Sequence, residues 1–174
     1  PKVINGSLRF NDDDSAYLSW TPASAGNRKT FTISVWVKRG NISASSFYPY
    51  IFDGGTANEH KLAFVNDQLS YGAWNGSDEF NLTTSQVFRD PSAWYHIVVA
   101  QDTAQATAAD RVNIYINGEE VTSWSTGNYP TQNWEGRINN TNEHAIGRWQ
   151  GGTSRYLDGY LANVHFIDGQ ALTA

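Results

Sequence analysis

Trp94-Tyr-His-Ile-Val-Val-Ala-Gln-Asp102 and Arg111-Val-Asn-Ile-Tyr-Ile-Asn-Gly-Glu119 are the two phrases on which the fold turns. Each alternates apolar and polar residues, the period of a strand buried on one face. The second ends in Asn117-Gly118, a pair able to take positive φ and reverse an antiparallel ribbon tightly. Two long strands, a polar loop and a sharp reversal specify a twisted antiparallel sheet.

The same period recurs outward from this pair. In Phe31–Lys38, Phe31, Ile33, Val35 and Val37 share one face, and Thr32, Ser34, Trp36 and Lys38 the other. Tyr160, Ala162, Val164 and Phe166 are set against Leu161, Asn163, His165 and Ile167 in the same way. Shorter strands are expected at 7–10, 16–20, 50–53, 61–65, 68–71, 79–82, 120–122 and 143–146, separated by Gly, Asn, Ser, Thr and Asp clusters. Thr103–Asp110 is the one helix-compatible stretch; without an apolar face it reads as an ordered loop or a single turn. Gly40–Phe47 and Ser123–Asn142 read as long polar connections, which in a compact β domain carry function or a contact. The expectation is an all-β protein of two antiparallel sheets pressed together by their apolar faces, one domain over residues 1–174.

Composition narrows the function. Hydrophobic residues are 40% of the chain and charged residues 17%, enough for a core and too apolar for disorder. A net charge of −5 with no local run of Lys or Arg argues against nucleic acid. Cysteine is absent, which removes disulfides, zinc–thiolate sites and thiol nucleophiles. No apolar stretch approaches the roughly 18 residues of a membrane helix.

The ordered phrases Ser7–Phe10, Phe31–Lys38, Trp94–Asp102, Val112–Gly118, His144-Ala-Ile-Gly147 and Tyr156-Leu-Asp-Gly-Tyr-Leu-Ala-Asn-Val-His-Phe166 resemble laminin-G-like domains of the concanavalin A-like lectin/glucanase superfamily. That resemblance implies a concanavalin A-like jelly roll. Phe88-Arg-Asp-Pro-Ser-Ala-Trp-Tyr-His96 and His165-Phe-Ile-Asp-Gly-Gln-Ala-Leu172 further resemble laminin-G-like modules in structural proteins of tailed, especially marine, bacteriophages. The implied setting is a virion surface, with other virion proteins as partners and homo-oligomers possible in principle.

Catalysis is not expected. Glycosidases of this superfamily carry Glu-x-Asp-x-x-Glu on one strand, and no such string occurs; the acids Asp12-Asp13-Asp14 and Glu119-Glu120 read as solvated turns. His60, His96, His144 and His165 lack zinc spacing and read as sheet-face histidines. Asn-x-Ser/Thr strings begin at Asn5, Asn41, Asn75, Asn81 and Asn139, as chance allows in so Asn-rich a chain.

Calcium is implied as possible by the resemblance, because such domains hold it with Asp side chains and loop carbonyls at one rim. Asp53, Asn58 and Glu59 are the matching oxygen donors, while Arg148 would repel a cation. A glycan, such as a host-surface polysaccharide, is the expected ligand. Pyranose C–H faces stack on rings, and amides or charges bind the hydroxyls. The candidates are Arg148, Trp149, Gln150 and Tyr156 as a cluster, with Trp74 and Trp134. The competing reading makes the chain a capsid-decoration or fibre-assembly domain whose loop aromatics are buried between subunits.

Overall fold

The computed structural model describes residues 4–42, 48–55 and 58–174. Two antiparallel sheets face each other. The first runs β1 (Leu8–Phe10), β13 (Gly159–Asp168), β3 (Thr30–Arg39), β8 (Tyr95–Asp102), β9 (Val112–Ile116), β10 (Glu119–Glu120) in spatial order. The second runs β11 (Trp124–Asn128), β7 (Asp78–Val87), β6 (Gln68–Trp74), β5 (Glu59–Val65), β4 (Tyr50–Asp53), β12 (His144–Ile146), β2 (Leu18–Trp20). The first and last strands of the chain, β1 and β13, are neighbours. A single 3₁₀ turn, Ala108–Arg111, falls at the end of the alanine-bearing stretch expected to hold one turn.

Alternation explains the core. Phe31, Ile33, Val35 and Val37 of β3 are fully buried, as are Ile97 and Val99 of β8 and Ile114 of β9. They meet Leu62 and Phe64, Leu69 and Tyr71, and Phe80 and Leu82 of the second sheet in one cluster. Two hairpins close with paired left-handed residues, Asn66 and Asp67 at φ 51° and 64°, and Asn117 and Gly118 at 54° and 89°. These angles fit the twist of the flanking strands. Asp67 also accepts a 2.9 Å bond from buried Arg39, whose guanidinium lies 4.6 Å over the Phe64 ring. The β5–β6 hairpin is thereby tied to β3 across the sandwich.

Two expectations need correction. The faces expected for β13 exchange midway: Leu161 lies opposite Val37 on the core side, yet so does Phe166 opposite Ile33. An extra residue sits between Ala162 and His165, with Asn163 at φ 48°. A bulge of this kind turns every later side chain to the other face. It places Val164 at the surface and Leu161 in the core. Ser123–Asn142 is also not all connection, since Trp124–Asn128 pairs with β7. Of the Gly40–Phe47 connection, residues 43–47 lie outside the described residues.

A polar chain crosses the apolar interior. Ile138 N–H donates to His60 Nδ1 at 3.2 Å, so His60 carries its proton on Nε2, 2.9 Å from the Tyr71 hydroxyl. Tyr71 in turn donates to Gln101 Oε1 at 2.7 Å. His144 is fixed likewise, accepting from Asn139 N–H at 2.9 Å and lying 2.8 Å from the Asn142 carbonyl. Both histidines spend their ring nitrogens in the neutral form. Burial, with the Arg137 charge adding, holds His60 well below the ordinary imidazole range, and burial lowers His144 too.

Below about pH 6.5 the unfolded chain therefore binds protons that the folded chain refuses, and stability is lost on acidification. The Asp53 carboxyl, which burial pushes up to about 7, has the opposite sign: its contribution is present at low pH and lost as pH rises. Comparing the wild type with His60→Gln separates the two. Urea midpoints at pH 7 and pH 5 should show a smaller acid-dependent loss in the variant, and equal losses would move the titration to another group.

Candidate functional site

The outward positions of β5, β6 and β7 make one surface. Alternation that buries His60, Leu62 and Phe64 points Glu59, Lys61 and Val65 away from the core. On β6 the outward residues are Ser70, Gly72 and Trp74, and on β7 Asn81 and Thr83. Register brings them together: Glu59 opposite Trp74, Ser70 opposite Thr83, Gly72 opposite Asn81, and Trp74 opposite Asp78. With Tyr48, Tyr50 and Arg155, all of these but Gly72 line an open groove of about 470 Å³.

The groove has a wall, a floor and a charged end. Trp74, 42% exposed, is the wall. The floor is a hydroxyl–amide cluster in which Thr83 Oγ1 donates to Asn81 Oδ1 at 3.0 Å and lies 3.2 Å from Ser70 Oγ. Gly72 keeps that floor low, because a Cβ there would stand 2.9 Å from the Phe80 carbonyl. At the charged end Glu59 takes Lys61 Nζ on one oxygen and Arg155 Nη1 on the other, both at 2.7 Å. Arg155 also donates to the Tyr50 hydroxyl at 2.8 Å, and its backbone is left-handed at φ 61°. The Arg155 carbonyl accepts from Tyr50 N–H at 3.1 Å, holding that loop against β4. Burial opposes ionisation of Glu59, but bonding and attraction to Lys61, helped by Tyr50 and Arg155, keep its carboxyl below the ordinary range.

The residues expected from sequence fall into separate places. Trp74 and Glu59 line the groove. Trp149 reaches it through Arg155, whose guanidinium lies 4.7 Å from the Trp149 ring. Arg148 instead stacks 3.6 Å from the Tyr17 ring and bonds Gln150 Oε1 at 3.2 Å. Tyr156 is buried on the same side, 6.4 Å from Tyr17. Trp134 closes one end of the core, edge-on to His60 and Phe80, both at 5.0 Å. Gly136 allows this, since a Cβ there would lie 2.5 Å from His60 Nδ1.

Asp53 is fully buried and accepts the backbone N–H of Gln150 at 2.9 Å and of His60 at 3.2 Å. Its oxygens clamp the Arg148-Trp149-Gln150 loop to β4. Glu59 is committed to two cations. Among the described residues no three His, Cys, Asp or Glu side chains gather as a metal cage. Lys61, Ser70, Asn81 and Thr83 escaped the sequence reading, although the outward phase of β5–β7 was the signal that could have found them.

Other hollows differ in chemistry. A cleft of about 520 Å³ between the sheet edges is walled by Leu8, Phe10, Leu18, Ile146, Leu161 and Val164, with little to bind a hydroxyl. On the outer face of the first sheet, Trp36 is stacked at 4.9 Å and 13° against His96, beside Ser34 and His165. One face of that ring is already covered.

Residues 12–174 match the family described as the concanavalin A-like lectin/glucanases superfamily. The chain belongs to that superfamily. Its structure is similar to a heptameric pentraxin of Limulus polyphemus (TM-score 0.60, 16% identity, 99% of this chain and 75% of that one). It is also similar to a carbohydrate-binding module of a Ruminococcus gnavus sialidase bound to sialyllactose (0.58, 11%, 92% and 94%). A third is the LG4–5 pair of mouse laminin α1 (0.57, 12%, 94% and 41%). At these identities the likeness is one of fold. No curated protein sequence matches the chain significantly.

Trp134→Ala should lower unfolding free energy by about 2 kcal/mol or more, because the ring packs on the core. Trp74→Ala should cost under about 1 kcal/mol. Denaturant melts decide it, and a large loss for Trp74 would make the groove wall a structural element.

Proposed function

We propose that this superfamily member is a non-enzymatic carbohydrate-binding module, acting as one unit over residues 1–174 and docking a glycan in the Trp74 groove. The observation that carries this is the pairing of an exposed Trp74 with the Ser70, Asn81 and Thr83 floor. A pyranose presents an apolar face to a ring and hydroxyls to neighbouring polar groups, and this groove offers both. Arg155, with Trp149 behind it, closes the charged end. Calcium has no part in this site, since Glu59 and Asp53 are satisfied by cations and backbone N–H groups. The phrases Phe88–His96 and His165–Leu172 support placing the module on the surface of a phage particle, outside the cell, where a host-surface polysaccharide would be its ligand.

A second reading has its own observation. Leu8, Tyr17, Leu18, Trp20 and Val164 are all exposed along β1, β2, the approach to β2 and the neighbouring β13. Such an edge suits contact with another virion protein or a second copy of the chain. It is compatible with glycan binding on the far strands.

A glycan array probed with the purified chain, with calcium and again with chelator, tests the main reading. Binding should survive chelation and be lost in Trp74→Ala. Binding abolished by chelator would return Asp53, Asn58 and Glu59 to the site. No binding in either condition would leave the particle-building role.

A further inference from the structure

We propose that the groove selects uncharged sugars and that Glu59 is the residue that imposes this selectivity; the inference rests on the glycan-binding reading. Four charged side chains line the groove, Glu59, Asp78, Lys61 and Arg155, and their formal charges cancel. The charge of each cation is already paired before a ligand arrives. Glu59 holds both, one on each carboxylate oxygen, at 2.7 Å. The Tyr50 hydroxyl takes a further bond from Arg155 Nη1.

An acidic sugar has two ways in, and both are costly. It can displace Glu59 from Arg155 and leave a largely buried carboxylate with one partner fewer. Otherwise its carboxylate settles beside Glu59 or Asp78, where like charges repel in a partly desolvated site. The net charge of −5 on the whole chain adds long-range repulsion of polyanions. A neutral hexose meets none of these terms. It needs the Trp74 face, the Ser70–Asn81–Thr83 floor and hydroxyl contacts to charges that are already balanced. Glu59 thus does for the site what an unpaired arginine would undo. It fixes the positions of Lys61 and Arg155 while cancelling their attraction for anions.

The test measures affinities for neutral oligosaccharides (cellohexaose, maltohexaose, mannohexaose, N-acetyllactosamine) and acidic ones (3′-sialyllactose, hexagalacturonate) in the wild type, Glu59→Gln and Asp78→Asn. The wild type should prefer neutral ligands, and Glu59→Gln should raise the acidic-to-neutral affinity ratio by about tenfold, with new salt dependence. Asp78→Asn, at an exposed position, should shift the ratio the same way by less and serves if Glu59→Gln folds poorly. Wild-type binding of 3′-sialyllactose or hexagalacturonate as tight as any neutral ligand overturns the selectivity while leaving the groove as a glycan site. An unchanged ratio in both variants also overturns it. Binding that is indifferent to Trp74→Ala removes the groove reading itself.

Discussion

The face-to-face packing of β3 against β5, β6 and β7 is the constraint on which everything else depends. Phe31, Ile33, Val35 and Val37 are buried, and so are Leu62, Phe64, Tyr71, Phe80 and Leu82 opposite them. Because side chains alternate strictly along a strand, committing those residues to the interior commits Glu59, Lys61, Ser70, Trp74, Asn81 and Thr83 to the other surface. The groove is the outer consequence of the core. Its precision comes from register rather than from loops, since three paired strands supply most of its lining. Sites on strands are held more tightly than sites on loops, which suits a shallow ligand surface with few contacts.

Fixed polar groups then lock the parts that hydrophobic packing leaves free. Arg39 and Asp67 tie the β5–β6 hairpin to β3, with Arg89 as a second partner at 2.9 Å. Asp53 holds the Gln150 loop through two backbone N–H groups. Arg155 joins the following loop to β4 and β5. The Arg39–Asp67 pair is enclosed, so removing one partner strands the other without water, a loss of about 3–5 kcal/mol for a buried ion pair. Three carboxylates that look equivalent in sequence thereby do three jobs: Asp67 staples, Asp53 clamps and Glu59 neutralises.

The fold was legible because alternation is a local signal. Val112–Ile116 and Tyr50–Asp53 stand where the pattern puts them, and the Asn117-Gly118 reversal has the expected left-handed backbone. Asn163 was not legible. A bulge inserts one residue without changing composition, and only the register of β13 against β3 reveals it. Trp124–Asn128 was hidden because an edge strand exposed on both faces carries no apolar period. The site was half legible. Trp74 stands out as a ring in a polar setting, but its partners lie on β5 and β7 and no local spacing links them. Trp134 and Tyr156 carry the same sequence signature as Trp74, yet Trp134 covers the end of the core and Tyr156 is buried; a loop aromatic looks the same in sequence whether it faces solvent or covers a core edge.

The central claim is that ligand chemistry lives on the outer face of β5–β7. Amide chemical-shift mapping during titration with a neutral oligosaccharide that scores on the array tests it most directly. The account predicts perturbations concentrated on Glu59–Lys61, Ser70–Trp74, Asp78–Thr83 and Arg155. Perturbations centred on Trp36, His96 and His165, or on the Leu8–Leu18–Val164 cleft, would contradict it.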